Sequence, residues 1–101
     1  MTTEFQQAVW DKLLEIPRGR VTTYGEIARS LGNSGAGRAV GSACGSNPHL
    51  VQVPCHRVVA GTGQVGNYRE GSARKVALLE KEGIQVVDNR IVDFKQKMFT
   101  W

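Results

Sequence analysis

The chain has 101 residues, 41% of them hydrophobic and 22% charged, as is typical of one globular domain. No apolar run approaches the roughly 20 residues that a membrane span requires. The polar start Met1-Thr2-Thr3-Glu4 is unlike a secretory signal, so neither a membrane protein nor a secreted protein is expected. The net charge of +4 is compatible with a polyanionic partner but does not establish one.

The first third of the chain predicts two helices. Thr3 is a candidate N-cap for a helix whose apolar residues recur every three or four positions until Pro17-Arg18-Gly19 interrupts them. Thr23 and Glu26 have the spacing of a capping box, so a second helix is expected from Tyr24 to Leu31.

A third helix, from about Ala36 to Cys44, follows the turn Gly32-Asn33-Ser34-Gly35 and gives this region helix-turn-helix spacing. Arg38 lies near the start of the helix, and small residues such as Gly41 make up much of its surface. A helix exposed only to solvent would more often carry long polar side chains. The small residues allow close approach either to DNA or to another helix, and both interpretations remain open.

The remaining chain predicts shorter elements. They are an extended segment over 51–59, a glycine-rich loop over 61–71, a helix that Ser72 caps and Gly83 ends, and strands over 84–87 and 90–94 that close a hairpin at Asp88-Asn89. The chain is therefore expected to be mostly α with a small β hairpin.

Cys55 and His56 are adjacent, between Pro54 and an apolar run. A cysteine acts as a nucleophile only as the thiolate, so a reactive cysteine needs a nearby base or positive charge. Neighbouring residues on a strand point to opposite faces, so the two side chains need not touch. The pair is compatible with a reactive thiol or with a buried structural thiol.

Glu82 falls on the same face of the predicted fourth helix as Val76 and Leu79. A carboxylate turned into a core needs a partner, and His56 is a natural one. If the two side chains meet, glutamate would orient the imidazole, and the imidazole would accept the proton of Cys55 directly or through water. The alternative is a frayed last turn with Glu82 in solvent.

Asn47 lies beyond the end of the third helix and directly before Pro48. Asparagine is common in turns, which is the simplest interpretation. The alternative is that its side-chain amide ties the end of the third helix to the cysteine segment.

A zinc site would have to be drawn from Cys44, His49, Cys55 and His56. Their spacing matches no compact zinc pattern, and simultaneous ligation by the adjacent Cys55 and His56 is awkward. No metal site is expected.

Over nearly its whole length the chain resembles the catalytic domain of the O6-alkylguanine-DNA alkyltransferases. Each matching segment is short, but the segments occur in the order and at the spacing of the family. They are Phe5-Gln6-Gln7-Ala8-Val9-Trp10, Ile16-Pro17-Arg18-Gly19, Thr23-Tyr24-Gly25-Glu26-Ile27-Ala28, Arg38-Ala39-Val40-Gly41, Asn47-Pro48, Pro54-Cys55-His56-Arg57-Val58, Gly66-Asn67-Tyr68-Arg69 and Leu78-Leu79-Glu80-Lys81-Glu82-Gly83.

The resemblance implies a helix-turn-helix, winged-helix-like domain that binds the minor groove of double-stranded DNA. Arg38 matches the arginine that fills the gap left by a flipped nucleotide, and Tyr24 matches the tyrosine that presses on the 3′ phosphate. Ala36 and Gly41 would belong to the surface that approaches the groove. Flipping is needed because the damaged base cannot be reached inside the stack.

The resemblance also implies a catalytic set. Cys55 matches the alkyl acceptor, His56 the base that acts through water, and Glu82 the carboxylate that orients the histidine. Asn47 matches the hinge between the recognition helix and the active-site segment. Tyr68 matches the tyrosine that donates to the base and helps neutral guanine to leave.

Backbone groups at Val58 and at Arg69 would complete the substrate pocket. The implied reaction is an in-line displacement that leaves a stable thioether on Cys55, so each molecule would act once as a methylated-DNA–protein-cysteine methyltransferase. No cofactor is expected, because the protein is itself the acceptor. A monomer is expected, with assembly along DNA as an alternative, in the cytoplasm near the nucleoid of a prokaryote or in the nucleus of a eukaryote.

The sequence departs from the family at both ends. It begins at the first catalytic-domain helix, so residues 1–101 are expected to form one domain without the α/β domain that precedes it in most members. The segment 91–101 is closer to the compact alkyltransferase-like proteins. Those relatives usually have tryptophan in place of the cysteine, bind alkylated guanine without repairing it, and pass the lesion to nucleotide excision repair.

Three functions therefore remain open. The chain keeps Cys55, Tyr68 and Glu82, which favours stoichiometric alkyl transfer. The first alternative is a non-catalytic protein that binds O6-alkylguanine and flags it for repair. The second is a thiol hydrolase that uses Cys55 and His56 on a small ester or peptide.

Overall fold

The computed structural model describes residues 3–101 of the chain. Among these residues no helix is long and apolar enough to cross a membrane. In chain order the elements are α1 (Glu4–Leu13), β1 (Thr22–Thr23), α2 (Tyr24–Ser30), α3 (Gly37–Gly45), a 3-10 turn (Cys55–Arg57), β2 (Val58–Val59), α4 (Ser72–Lys81), β3 (Val86–Val87), β4 (Arg90–Ile91) and α5 (Phe94–Lys97). The predicted mostly α architecture with a small hairpin is confirmed.

Both predicted N-terminal caps of the first two helices are present. The Thr3 hydroxyl accepts from the backbone N–H of Gln6, and the Gln6 side chain accepts from the backbone N–H of Thr3, both at 3.0 Å. The Thr23 hydroxyl accepts from the Glu26 N–H at 3.0 Å. The Glu26 carboxylate does not close a capping box, because it binds Arg29 and the backbone N–H of Trp101 instead.

The helix-turn-helix is formed by α2 and α3, and α1 packs beneath it. Val9, Leu13, Ile27 and Val40 are fully buried in this core. The indole Nε1 of Trp10 donates to the carbonyl of residue 43 at 2.8 Å, which joins α1 to the middle of α3. One face of α3 is therefore held by α1, and the opposite face of α3 is exposed.

The predicted extended segment over 51–59 is wrong over most of its length, since residues 51 and 52 lie in a turn and a 3-10 turn follows Pro54. Cys55, His56 and Arg57 form a 3-10 turn, which begins where the Arg57 N–H donates to the Pro54 carbonyl at 3.0 Å. Only Val58–Val59 is a strand, and it pairs in parallel with Thr22–Thr23. Tertiary contacts decide this geometry, because both His56 and Arg57 turn toward the carboxylate of Glu82, the residue that caps the end of α4.

The predicted cap of the fourth helix is also wrong, by one residue. The N-cap is Gly71, with a φ of 97°, and Ser72 is the first helical residue without a capping hydrogen bond from its side chain. Glycine tolerates this backbone conformation, which other residues adopt at a cost. The predicted stop is confirmed, since Gly83 follows the helix with a φ of 87°.

The predicted hairpin is confirmed over shorter strands. β3 and β4 are antiparallel, and Asp88 and Asn89 occupy the turn with φ values of 50° and 63°. Positive φ at both central residues is the requirement of a type I′ turn, which suits aspartate and asparagine. The second strand ends before Phe94, which instead begins α5.

Candidate active site and nucleic-acid interface

A buried carboxylate at the end of α4 lies at the centre of a hydrogen-bonded group. His56 Nε2 is 2.9 Å from Glu82 Oε2, and Arg57 Nε donates to Glu82 Oε1 at 2.9 Å. The side chains of His56 and Glu82 are only 0% and 7% exposed. Glu82 therefore faces inward, and the alternative of a frayed last turn is wrong.

Arg57 is the partner that holds the carboxylate in its charged form. It also donates from Nη2 to Glu82 Oε2 at 2.9 Å and from Nη1 to the Ile16 carbonyl at 2.7 Å. Burial raises the pKa of Glu82, but hydrogen bonds from Arg57 and His56 more than offset it, so the pKa lies below its usual range. Glu82 is thus an anion at neutral pH that can orient an imidazole.

His56 is neutral at pH 7. Burial lowers the pKa of His56 below 6.5, although the hydrogen bond to Glu82 opposes the shift. Because a carboxylate only accepts hydrogen bonds, Nε2 carries the proton and the lone pair is on Nδ1. Among residues 3–101 Nδ1 has no hydrogen-bond partner although it is buried. The ring is therefore equipped to accept a proton at Nδ1.

Cys55 is 5% exposed and is contacted by Asn47. The fully buried Asn47 amide donates from Nδ2 to Cys55 Sγ at 3.4 Å and to the Val53 carbonyl at 2.7 Å. Its Oδ1 accepts from the His49 N–H at 2.9 Å. The amide thus ties the chain beyond α3 to the cysteine segment. Asn47 is therefore more than a turn residue, as the alternative interpretation of the sequence predicted.

The thiol of Cys55 is not ionised by its surroundings alone. Burial raises the pKa of Cys55, and the Asn47 hydrogen bond and the charges of Lys75 and Arg69 only partly oppose it. A base is therefore needed to produce the thiolate. In the described part of the chain no hydrogen bond joins His56 to Cys55, so a proton would pass between them through an intervening group.

Cys55 opens on a cavity of about 730 Å³ between α3 and the glycine-rich loop. This volume suits a small organic group such as a nucleobase. The site residues predicted from the sequence that line it are Tyr24, Arg38, Gly41, Cys55, Tyr68 and Arg69. The tertiary structure thus brings together residues from four separate segments.

Tyr68 presents a protonated hydroxyl. Burial, followed by the charges of Cys55 and Glu70, raises the pKa of Tyr68 to about 12. Its hydroxyl is buried and has no hydrogen-bond partner within residues 3–101. A buried donor without a partner is uncommon, and here it is available to a bound ligand.

Two of the residues predicted to contact DNA or substrate do not line the cavity. Ala36 is the N-cap of α3, at the edge of the exposed helix face. Val58 is fully buried, and its carbonyl accepts a hydrogen bond from Lys75 Nζ at 2.6 Å. The Val58 carbonyl therefore already has a donor before any substrate arrives.

The outer face of α3 is not shaped by packing within the protein. A Cβ added at Gly37 or Gly45 would meet nothing within 4 Å, and one added at Gly41 would lie 3.9 Å from the Tyr24 ring. Glycine within a helix costs about 1 kcal/mol relative to alanine. Close packing against another helix among residues 3–101 does not account for these glycines, and this face of α3 is open to an external surface.

Arg38 is exposed on that face, and its guanidinium makes no hydrogen bond to the described residues. Arg69, on the opposite side of the cavity, donates from Nη1 to the Gly45 carbonyl at 3.2 Å. The cavity mouth is therefore flanked by two guanidinium groups, which suits a polyanion.

Two side-chain contacts close to the site were not foreseen from the sequence. Arg57 as the second partner of Glu82 follows no local pattern. The fully buried Lys75 could have been found, since it lies three and seven residues before Leu78 and Glu82 on the same helix face.

The two cysteines are free thiols, and among residues 3–101 no group of three or more His, Cys, Asp or Glu side chains could hold a metal ion.

The pKa shifts of His56 and Glu82 predict an acid-sensitive fold and site. Both pKa values are lowered, so both groups favour folding above their unfolded values of 6.5 and 4.5. We expect the free energy of unfolding to fall as pH drops below about 6.5, first through His56 and then through Glu82. Urea unfolding between pH 8 and pH 4 measures it, and constant stability across that range would contradict the assignment.

Comparison with protein families gives one assignment for most of the chain. Residues 4–84 match the family described as "6-O-methylguanine DNA methyltransferase, DNA binding domain". A methylated-DNA–protein-cysteine methyltransferase of Mycobacterium leprae is 53% identical over 85 residues, which is 84% of this chain and 52% of that protein. The inducible enzyme of that name from Bacillus subtilis is 48% identical over 79% of this chain and 45% of its own length. The chain thus spans about half the length of these curated relatives.

Solved structures agree with the sequence comparison. The Mycobacterium tuberculosis OGT in complex with DNA has a TM-score of 0.79 and 52% identity, and covers 81% of this chain and 51% of its own. The S. pombe Atl1 in complex with damaged DNA containing O6-carboxymethylguanine has a TM-score of 0.83 and 31% identity, and covers 100% of both chains.

Proposed function

Because this chain belongs to the 6-O-methylguanine DNA methyltransferase family, we propose that it repairs DNA by moving an alkyl group from O6-alkylguanine to its own Cys55. The observation that carries the proposal is the position of Cys55. Its thiol opens on a base-sized cavity shared with Tyr24, Arg38 and Tyr68, and the adjacent His56 is oriented by a buried carboxylate.

The chemistry follows from the states of the side chains. Neutral His56 accepts the proton of the Cys55 thiol, and Glu82 stabilises the imidazolium that forms. The thiolate sulfur then attacks the alkyl carbon as the bond from that carbon to O6 breaks. The electron pair stays with the base, and Tyr68 donates a hydrogen bond to it. The base gains one proton, which balances the proton that the thiol lost. Neutral guanine is therefore released, and a thioether remains on Cys55.

DNA engagement is assigned to the outer face of α3. The glycines there permit close approach of the duplex, and Arg38 is free to enter it. Tyr24 lies between that face and Cys55, where it can press on the backbone of a nucleotide turned into the cavity. Turning the base out of the stack is necessary because O6 is not accessible to a thiol within the duplex.

Arg38→Ala is expected to slow methyl transfer from duplex DNA by about tenfold to 100-fold, because unstacking costs a few kcal/mol that the arginine helps to offset. Reaction with a free O6-alkylguanine base should change less than twofold, since that base needs no flipping. Single-turnover rates on both substrates measure the difference. Lys95→Ala, which removes an exposed positive charge on α5, is the matched control. Equal losses on both substrates would refute the flipping role.

A second candidate function is non-catalytic recognition of O6-alkylguanine for nucleotide excision repair. The likeness to the S. pombe Atl1 over the full length of both chains favours it. The presence of Cys55 beside the His56–Glu82 pair favours transfer instead.

Stoichiometry separates these functions from each other and from a hydrolase. With excess duplex carrying one O6-methylguanine, restored guanine should rise to one equivalent per protein and stop. Tight lesion binding with no restored guanine would establish the sensor function. Continued turnover of a small ester, without either result, would establish the hydrolase.

The proposed partner is double-stranded DNA containing O6-alkylguanine, bound by a monomer. The protein would therefore act where the DNA is, in the cytoplasm of a prokaryote or the nucleus of a eukaryote. The proposed reaction needs no cofactor, because Cys55 receives the alkyl group and Tyr68 assists the departure of the base.

A further inference from the structure

Lys75 is a fully buried lysine behind the cavity. It lies on α4, and its Nζ donates to the Val58 carbonyl at 2.6 Å and to the Asn67 carbonyl at 3.1 Å. Val58 follows Cys55 by three residues, and Asn67 directly precedes Tyr68. One ammonium group thus joins the segment that carries the thiol to the loop that carries the buried hydroxyl.

A buried ammonium is costly unless it has an anion as a partner. Within residues 3–101 no carboxylate lies within ion-pair distance of Lys75, and Glu82 is occupied by Arg57 and His56. Burial lowers the pKa of Lys75 to about 8, while the thiols of Cys44 and Cys55 raise it. An uncharged donor could also bind the two carbonyls that Lys75 contacts. These hydrogen bonds therefore do not explain why the buried side chain carries a positive charge.

The surroundings of Lys75 point toward the cavity. Nζ lies 5.9 Å from the centre of the Tyr24 ring, within the range of a cation–π contact. A Cβ added at Gly66 would lie 3.9 Å from both Lys75 Nζ and the Tyr24 hydroxyl. Gly66, Asn67 and Tyr24 all line the cavity onto which Cys55 opens. The ammonium therefore lies directly behind residues that line the cavity onto which Cys55 opens.

We propose that Lys75 is a positioning residue whose ammonium holds the Cys55 and Tyr68 segments together and whose positive charge favours the Cys55 thiolate over the thiol. The inference depends on Cys55 being the nucleophile proposed above. When the Cys55 thiol is deprotonated, the thiolate becomes the anionic partner that the buried Lys75 ammonium otherwise lacks. His56 would then remove the proton while Lys75 stabilises the sulfur that remains.

The test is the rate of Cys55 alkylation by iodoacetamide as a function of pH, mapped by peptide mass. In Lys75→Met we expect the midpoint of the profile to move to higher pH and the rate at pH 7 to fall about fivefold, because the thiolate fraction falls but its nucleophilicity rises. The plateau at high pH should not fall. Lys81→Met, which removes the same charge from an exposed site on α4, should match the wild type.

Neither substitution alters the other groups whose charge or hydrogen bonds act on Cys55. They are Asn47, Arg69, Tyr24, Cys44 and Tyr68. An unmoved midpoint with a lower plateau would reduce Lys75 to a structural role and overturn the proposal. Unfolding of the Lys75→Met protein would instead raise the rate of alkylation at pH 7, because an exposed thiol reacts faster than a buried one.

A second measurement needs no variant. The Lys75 ammonium of the wild-type protein is titrated by NMR with labelled lysine, before and after Cys55 is blocked with iodoacetamide. Coupling is reciprocal, so blocking the thiol should move the Lys75 titration to lower pH. An unchanged titration would overturn the proposal. Neither measurement uses DNA, so a wild-type protein that fails to transfer methyl groups would refute the proposed function and leave the role of Lys75 testable.

Discussion

Cys55→Ala is expected to abolish methyl transfer from O6-methylguanine DNA while selective binding of the lesion persists. No other group replaces the missing acceptor, since the transfer requires a thiolate at the cavity and burial keeps the neighbouring Cys44 in its thiol form. The substitution removes a single atom from a nearly buried side chain and adds no charge, so the cavity and the α3 face remain. Restored guanine and an electrophoretic binding assay on the same duplex measure the two properties.

Cys44→Ala is the matched control, because Cys44 is the other free thiol that lines the cavity. Burial, with the charge of Cys55, raises the pKa of Cys44 to about 12, so it is a thiol at neutral pH. We expect this variant to transfer a methyl group at close to the wild-type rate. Retained transfer by Cys55→Ala, or lost transfer in Cys44→Ala with its fold intact, would show that the nucleophile has been assigned wrongly.

Glu82→Gln is expected to slow methyl transfer by about 100-fold or more, within the range that general base catalysis supplies. Glutamine keeps a hydrogen-bond acceptor for His56 but removes the charge that stabilises the imidazolium. The same substitution leaves the partly buried Arg57 without its anion, so the free energy of unfolding should fall by about 3 kcal/mol. Single-turnover rates and urea unfolding measure the two effects.

Glu80→Gln is the control for the Glu82 variant, because Glu80 is exposed on the same helix. It should alter neither quantity beyond about 0.5 kcal/mol. The rates are compared at a temperature where circular dichroism shows both variants folded. Wild-type transfer by a folded Glu82→Gln protein would mean that the carboxylate supports the fold but not the chemistry.

The elements set by local chemistry were predictable from the sequence. Thr3 and Thr23 cap their helices, Gly83 follows α4 in a left-handed conformation, and Asp88-Asn89 form the hairpin turn. Each of these depends on a residue type and its immediate neighbours. For Glu82, helical periodicity offered the inward position as one of two interpretations, and the contact with His56 decides in its favour.

The geometry around the thiol was not predictable from local pattern, because distant contacts decide it. An apolar run after Pro54 suggests a strand, yet the Cys55–Arg57 segment turns because Arg57 and His56 share one carboxylate on α4. The distance in sequence from Arg57 to Glu82 is 25 residues, and no periodicity relates them. The cavity likewise joins α2, α3, the cysteine segment and the glycine-rich loop, which only the tertiary fold brings together.

The measurement that tests the central claim most directly is the mass of the protein, intact and then as peptides, after mixing with duplex DNA that carries one O6-methylguanine. The account predicts a single added methyl group, located on the peptide that contains Cys55 and absent after mixing with undamaged duplex. An unchanged mass, despite tight and selective binding of the lesion, would contradict alkyl transfer and assign the chain to lesion recognition alone.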